Sequence, residues 1–228
     1  MVRDRSLLLH RVRSWFSEET QVTQYVTEAR KGVTRAEQHF FRYLPDDSLI
    51  CDIGCGAGRT FHVLWQRHMR IVGIDISLPL LRHAQAQASA HQSLALVLTD
   101  PLHLPFAPST FDGIVHNKVI AYFPHSETRS SHLRALATLL RPAGVLLLSS
   151  YVVPEEALIE TAIAADRKEF PSLEPGDVLP ENRGYVHWFT RQELEALLLA
   201  SPLRLDVFED DRQYGGAGFL VFAILRKA

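Results

Sequence analysis

"LICDIGCGAGRT", residues 49–60, places Gly54, Gly56 and Gly58 alternately among small residues, directly behind an apolar run. A strand that runs into glycines and then a helix brings backbone N–H groups and the positive helix end to one point. Without Cβ atoms there, a ligand can lie against the chain. The spacing is G-x-G-x-G, not the dinucleotide G-x-G-x-x-G, and Asp52 stands just before it on the strand end. A fixed carboxylate in that place suits a ligand carrying an ammonium or sulfonium group, because it would repel a pyrophosphate. Both cysteines of the chain, Cys51 and Cys55, fall inside the same stretch. With no second pair they make neither a zinc site nor a disulfide framework, and they read as small packing residues. No metal is expected.

Outward from this stretch, apolar β-rich runs alternate with helical patterns: "SLICDIG", "RTFHVLWQRHM", "RIVGIDIS", "LPLLRHAQAQASA", "SLALVLTD", "FDGIVHNKV", "SETRSSHLRALATLL" and "GVLLLSSYV". The alternation predicts βαβ units and a doubly wound, mostly parallel sheet with helices on both faces. Further on, Thr190 and Glu193 form the signature of a capping box before "RQELEALLLAS". "LRLDVFED" and "GFLVFAILRK" then read as a closing hairpin through "YGGAG". Residues 1–44 look helical and stand apart as an N-terminal cap over a domain at 45–228. The Pro- and Gly-containing stretch at 171–187 is long enough to serve as a substrate lid.

The chain has 228 residues, 46% of them hydrophobic, enough for one sizeable core. Its formal net charge is −2, so no global basic field draws it to DNA, RNA or an anionic membrane. The start, "MVRDRSLLLHRVRSW", is too charged for a signal peptide, which leads to the expectation of a cytoplasmic protein with no membrane partner.

Two further acids end strands. Asp75, in "GIDIS", lies 23 residues beyond Asp52, a distance at which an acid can accept hydrogen bonds from ribose hydroxyls. Asp100, in "VLTDPLHLPF", is placed to accept from an adenine amino group, with the Pro101-Leu102 backbone framing the ring. Each acid alone is an ordinary turn or cap residue. Three in order at successive strand ends describe a nucleoside site, since ligands bind at the carboxyl ends of such strands.

On these residues the chain resembles the class I S-adenosylmethionine-dependent methyltransferases, in the broad subgroup of small-molecule and tRNA modifiers. "LICDIGCGAGR", "GIDIS", "TDPLHLPFAPSTFDGIVHNKVIAYF" and "LRPAGVLLLSS", within residues 48–150, carry the resemblance. It implies a Rossmann-like, seven-stranded sheet with the last strand antiparallel, and S-adenosyl-L-methionine as cofactor, leaving as S-adenosyl-L-homocysteine. It further implies that Asp52, Gly54, Gly56 and Gly58, with Cys55 between them, surround the methionine portion. Asp75 with Ile76 would meet the ribose, Asp100 with Pro101 and Leu102 the adenine, and Asn117 would line the methyl-donor pocket. Ala143 departs from the family, which commonly has a second glycine in that turn.

The acceptor is less well marked. A hydroxyl acceptor needs a general base, whereas a carboxylate or thiolate does not. "HNKVIAYFPH" offers His116, Tyr122 and His125 as catalytic candidates. In the helical N-terminal stretch, Tyr25 is a candidate contact to cofactor or acceptor. His187 belongs either to an acceptor pocket wall or to a hydrophobic staple. "GYVHWFTRQELEALL" also resembles tRNA wobble-uridine methyltransferases that esterify a carboxymethyl group, which keeps RNA as an alternative to a small-molecule acceptor. A catalytically inactive cofactor-binding partner protein is the third reading.

Overall fold

The computed structural model describes residues 2–88, 93–100, 102–158, 166–180 and 184–228. Seven strands make one sheet: β1 (Leu49–Ile53), β2 (Arg70–Asp75), β3 (Leu94–Leu98), β4 (Phe111–Asn117), β5 (Leu140–Tyr151), β8 (Arg204–Asp210) and β9 (Leu220–Arg226). Their order is β3-β2-β1-β4-β5-β9-β8. The first five run parallel, and β9 is antiparallel to both β5 and β8. The antiparallel strand is therefore an inner one, inserted between β5 and β8. A separate two-stranded ribbon pairs β6 (Asp177–Val178) with β7 (Val186–His187).

The sheet is apolar on both faces, as buried parallel strands require. Cys51, Ile53, Ile114, Leu146 and Leu148 meet α6 (Ser126–Leu139) and α8 (Arg191–Leu199) through Leu133, Leu136, Leu194 and Leu198. On the other face Ile50, Ile71, Val115, Leu147 and Phe222 meet α3 (Arg35–Phe40), α4 (Phe61–Trp65) and α5 (Leu78–Ala88). A short α7 (Asp166–Glu169) follows β5.

Three sequence expectations are corrected. The helix expected over residues 59–69 shrinks to the five residues of α4, because His68 takes a left-handed φ of 55° and turns the chain into β2. The capping box at Thr190 is half formed. Its hydroxyl accepts the Glu193 N–H at 3.0 Å, but the Glu193 carboxylate accepts from His187 Nε2 instead of returning to the Thr190 backbone. A complete box stands at Thr34 and Glu37, opening α3. The helical N-terminal region divides: α1 (Val2–Ser17) and α2 (Glu19–Arg30) stand over the strand ends, whereas α3 belongs to the core, with Phe40 stacked on Phe222 at 4.5 Å.

Candidate active site

A cavity of about 680 Å³ lies at the carboxyl ends of β1, β2, β4 and β5, reached by Asp52, Asp75, Asn117 and Tyr151. Small-molecule sites occupy about 300–1,000 Å³. The glycine loop forms one wall, and α1 and α2 supply another through Val12, Phe16, Tyr25 and Ala29.

The loop is held by its own amides. Gly54 and Cys55 both donate to the Ile74 carbonyl, at 2.8 and 3.0 Å; Gly58 donates to the Cys55 carbonyl at 2.9 Å, and Gly56 to Asp75 Oδ2 at 2.8 Å. The expectation that these groups face a ligand is thereby corrected: four amides are spent within the protein, and α4 is too short to offer a strong helix end. What the loop offers is close approach. At Gly56, φ is 54° and an added Cβ would meet nothing within 4 Å. Gly58 serves packing, since a Cβ there would strike the Phe61 ring at 2.7 Å, and it does not line the cavity.

Asp52 and Asp75 line the cavity and are almost wholly buried. Burial pushes Asp52 up to about 7 despite the opposing effects of the Thr60 hydroxyl, which it accepts, and of Arg59. Burial likewise pushes Asp75 up to about 6, against its bonds from the Ser77 and Gly56 amides. Two buried carboxylates so displaced gain from a cationic ligand and disfavour phosphate. Asp75 holds its two amides one per oxygen, which leaves further lone pairs for hydroxyl donors.

At the far side stand three tyrosines, Tyr25, Tyr122 and Tyr151, with Asn117 and Lys118. Burial raises the Tyr25 phenol, and its hydrogen bond with Tyr122 reinforces the shift. Phe16 packs edge-on against Tyr122 at 4.9 Å and at a 46° tilt against Tyr25 at 5.5 Å, while Trp15 lies 6.0 Å from Tyr122. Asn117 Oδ1 accepts the Ser149 hydroxyl at 3.1 Å, and its Nδ2 is buried without an acceptor among the described residues. Arg59 clasps Glu37 through both its terminal nitrogens, and Lys118 Nζ lies 3.7 Å from the same carboxylate.

Residues 51–148 match a family model described as a methyltransferase domain. The chain carries a class I S-adenosylmethionine-dependent methyltransferase domain. Among curated relatives, it is 28% identical over 132 residues to the "Probable tRNA methyltransferase 9B" of Mus musculus, which covers 58% of this chain but 28% of that protein. The chain thus matches little more than a quarter of this relative's length. Among solved structures, a SAM-dependent methyltransferase of Methanosarcina mazei superposes with a TM-score of 0.65 at 24% identity, covering 86% of this chain and 98% of that one. The Burkholderia thailandensis 1,6-didemethyltoxoflavin-N1-methyltransferase, determined with S-adenosylhomocysteine, gives 0.66 at 18% identity, covering 85% and 77%.

The residues of this methyltransferase domain fit its donor. The open approach at Gly56, the two raised acids and the unpaired Asn117 amide match a ligand with cationic and hydroxyl groups. Of the donor residues expected from sequence, Asp52, Gly54, Cys55, Gly56, Asp75, Ile76, Asn117 and Tyr25 line the cavity. Asp100 and Leu102 do not: Asp100 accepts the Leu102 N–H at 2.9 Å as a local turn, and Thr99 lines the wall instead. Pro101 lies outside the described residues.

The catalytic candidates fare differently. Tyr122 lines the cavity, but His116 and His125 do not. His116 faces α6 and shares a 3.0 Å hydrogen bond with His132; burial pushes it down to about 4, so it is a neutral core residue. His125 sits at the start of α6 with φ 66°. The stretch at 171–187 lines no part of the cavity among its described residues. It clamps α1 instead: Tyr185 packs with Leu8, Val12 and Phe170, Ser172 donates to Asp4, and Arg11 donates to the Gly184 carbonyl. His187 is bound between Asp177 and Glu193, far from a pocket wall role. Sequence reading missed Arg59, Lys118, Tyr151 and Thr99. Arg59, next to the last loop glycine, was the one with a visible signal.

Among the described residues no cluster of His, Cys, Asp and Glu could hold a metal, and no helix is long and apolar enough to cross a membrane.

Proposed function

We propose that this chain transfers the methyl group of S-adenosylmethionine to a small-molecule acceptor. The observation that carries this reading is the cavity itself, roofed by α1 and α2, in which the Gly56 wall and the two raised acids, Asp52 and Asp75, face the tyrosine-lined side. Asp52 is placed to neutralise the donor's cationic portion, Asp75 to accept from the ribose hydroxyls, and Ile76 and Thr99 to flank the base. The bound donor supplies an electrophilic methyl group on sulfur. The chain's part is to align the acceptor and exclude water, and Phe16, Tyr25 and Tyr122 line the cavity as an aromatic wall backed by Trp15.

A tRNA acceptor is the second reading, supported by the name of the mouse relative. The net charge of −2 argues against it, because phosphate contacts supply most of the affinity for RNA.

Incubation of the protein with methyl-labelled S-adenosylmethionine and extract divided into RNA and small-molecule fractions tests the choice. Label in the small-molecule fraction supports this reading; label in RNase-sensitive material replaces it with the second.

A further inference from the structure

We infer that Ser77 is a positioning residue for methyl transfer: its hydroxyl holds the end of α1, and with it the Phe16 wall of the acceptor side, at a fixed place relative to Asp75. This rests on the methyl-transfer reading above and adds the residue through which the donor side sets the acceptor side.

Ser77 is wholly buried in the turn between β2 and α5. Its N–H donates to Asp75 Oδ1 and its hydroxyl to the Phe16 carbonyl, each at 2.8 Å. A serine hydroxyl has one proton to give, and this bond commits it. The acceptor is a carbonyl in the last turn of α1, where a helix leaves its carbonyls without partners of its own. The Ser77 hydroxyl also accepts the Leu80 N–H, as a residue that caps α5 should, but at 3.4 Å. The bond to α1 is the shorter of the two, so capping is the lesser use of this side chain.

Phe16 is where α1 meets the site. Its ring lines the cavity and touches both Tyr25, on α2, and Tyr122, in the loop after β4, so one side chain joins two parts of the acceptor wall. Beneath it lie the apolar side chains of Val22, Ala29, Ala57 and Leu80, whose contacts are not directional. The other polar ties of α1, from Ser172 to Asp4 and from Arg11 to the Gly184 carbonyl, lie further back along the helix. At the cavity end the Ser77 hydroxyl supplies the directional bond, across 61 residues of chain. Two bonds in series therefore run from the acid proposed to read the ribose to the backbone of an acceptor-wall residue. A shift of about 1 Å at a reacting centre can cost roughly 100-fold in rate while leaving binding intact.

The test uses the whole chain with S-adenosylhomocysteine bound and reads amide hydrogen exchange over residues 11–17. Donor calorimetry and transfer of labelled methyl to whichever extract fraction accepts it accompany the exchange. Ser77→Gly removes the hydroxyl but leaves an acceptable cap residue, whereas Ser77→Ala removes the hydroxyl and the cap together. Both variants should exchange at the end of α1 at least tenfold faster than wild type, bind S-adenosylhomocysteine within threefold of it, and transfer label at least fivefold more slowly at saturating donor. Ser77→Thr, which keeps the hydroxyl, should restore exchange and transfer. Wild-type exchange in Ser77→Gly overturns the inference, since α1 is then held without the hydroxyl. Fast exchange confined to Ser77→Ala overturns it too, by leaving only the cap of α5 as the residue's role. Fast exchange with undiminished transfer separates α1 from the acceptor side, and a donor affinity lowered more than tenfold moves Ser77 into the donor site; either result also overturns it. The methyl-transfer reading survives all four. A wild-type chain that binds S-adenosylhomocysteine but labels neither fraction overturns that reading, and this one with it.

Discussion

The Asp75 carboxylate bridges the glycine loop and the turn after β2, accepting the Gly56 N–H through one oxygen and the Ser77 N–H through the other, each at 2.8 Å. The residue proposed to read the ribose thus also sets the loop proposed to face the donor. Asp75→Ala should weaken S-adenosylhomocysteine binding by about 1.5–3 kcal/mol, the scale for losing a charged acceptor. Titration calorimetry measures this, and an unchanged affinity would remove Asp75 from the donor site.

Gly54 and Gly58 are predicted to matter for folding more than for chemistry. At Gly54, φ is 67° and an added Cβ would meet Val119. Gly54→Ala should cost about 1–3 kcal/mol of stability from strain and overpacking together. Urea denaturation at constant m reads it, and a loss below about 0.5 kcal/mol would show that Val119 yields freely.

The raised acids predict a pH dependence. Asp52 and Asp75 have folded values of about 7 and 6, above the roughly 3.9 of an unfolded aspartate. The folded state then holds more protons than the unfolded one, and the ligand-free protein loses stability as pH rises from about 4 to 7. Binding of a cationic donor to ionised Asp52 releases a proton, so affinity should climb over about pH 5–8. Calorimetry in two buffers of different ionisation heat counts the protons. Asp52→Asn should flatten the profile, and an equally steep one would assign the protons elsewhere.

The clamp behind α1 titrates in the opposite sense. Burial disfavours a charged His187, but the Asp177 and Glu193 carboxylates outweigh it and raise its value. Its stabilisation is full below about pH 6.5 and is lost as pH rises through the raised folded value. Thermal melts of wild type and His187→Gln should converge at alkaline pH and separate in mild acid. Parallel curves would mean that the ring is neutral throughout.

Arg129 anchors the same clamp. It is 1% exposed, donates to the Phe123 carbonyl at 3.1 Å and to Glu174 at 2.7 Å, and lies over the Phe189 ring. Arg129→Met leaves these acceptors without their partner and should cost about 3–5 kcal/mol. A loss under about 1 kcal/mol by urea denaturation would show that the acids simply rehydrate.

The parallel half of the sheet could be read from alternation alone, because each strand is an apolar run ended by a turn residue. So could Asp52 and Asp75, whose places at strand ends follow from that pattern. Asp100 misled because a strand-end acid has a cheaper use, capping its own turn at Leu102. Amide satisfaction was equally invisible: whether Gly56 points its N–H at a ligand or at Asp75 depends on the register of β1 against β2. His116 misled because its facing depends on counting two residues at a time from Ile114, which directs it to α6. Lys118 could not have been found, since nothing in "HNKV" announces a left-handed backbone.

The place of β9 between β5 and β8 has a consequence for the order of assembly. β8 is made before β9, yet its bonds to the sheet run only through β9. β8 therefore cannot pair with the sheet until β9 is in place. β9 also covers the edge of β5 as far as Tyr151 at the cavity, so the acceptor side of the site depends on a strand that lies far along the chain from the glycine loop.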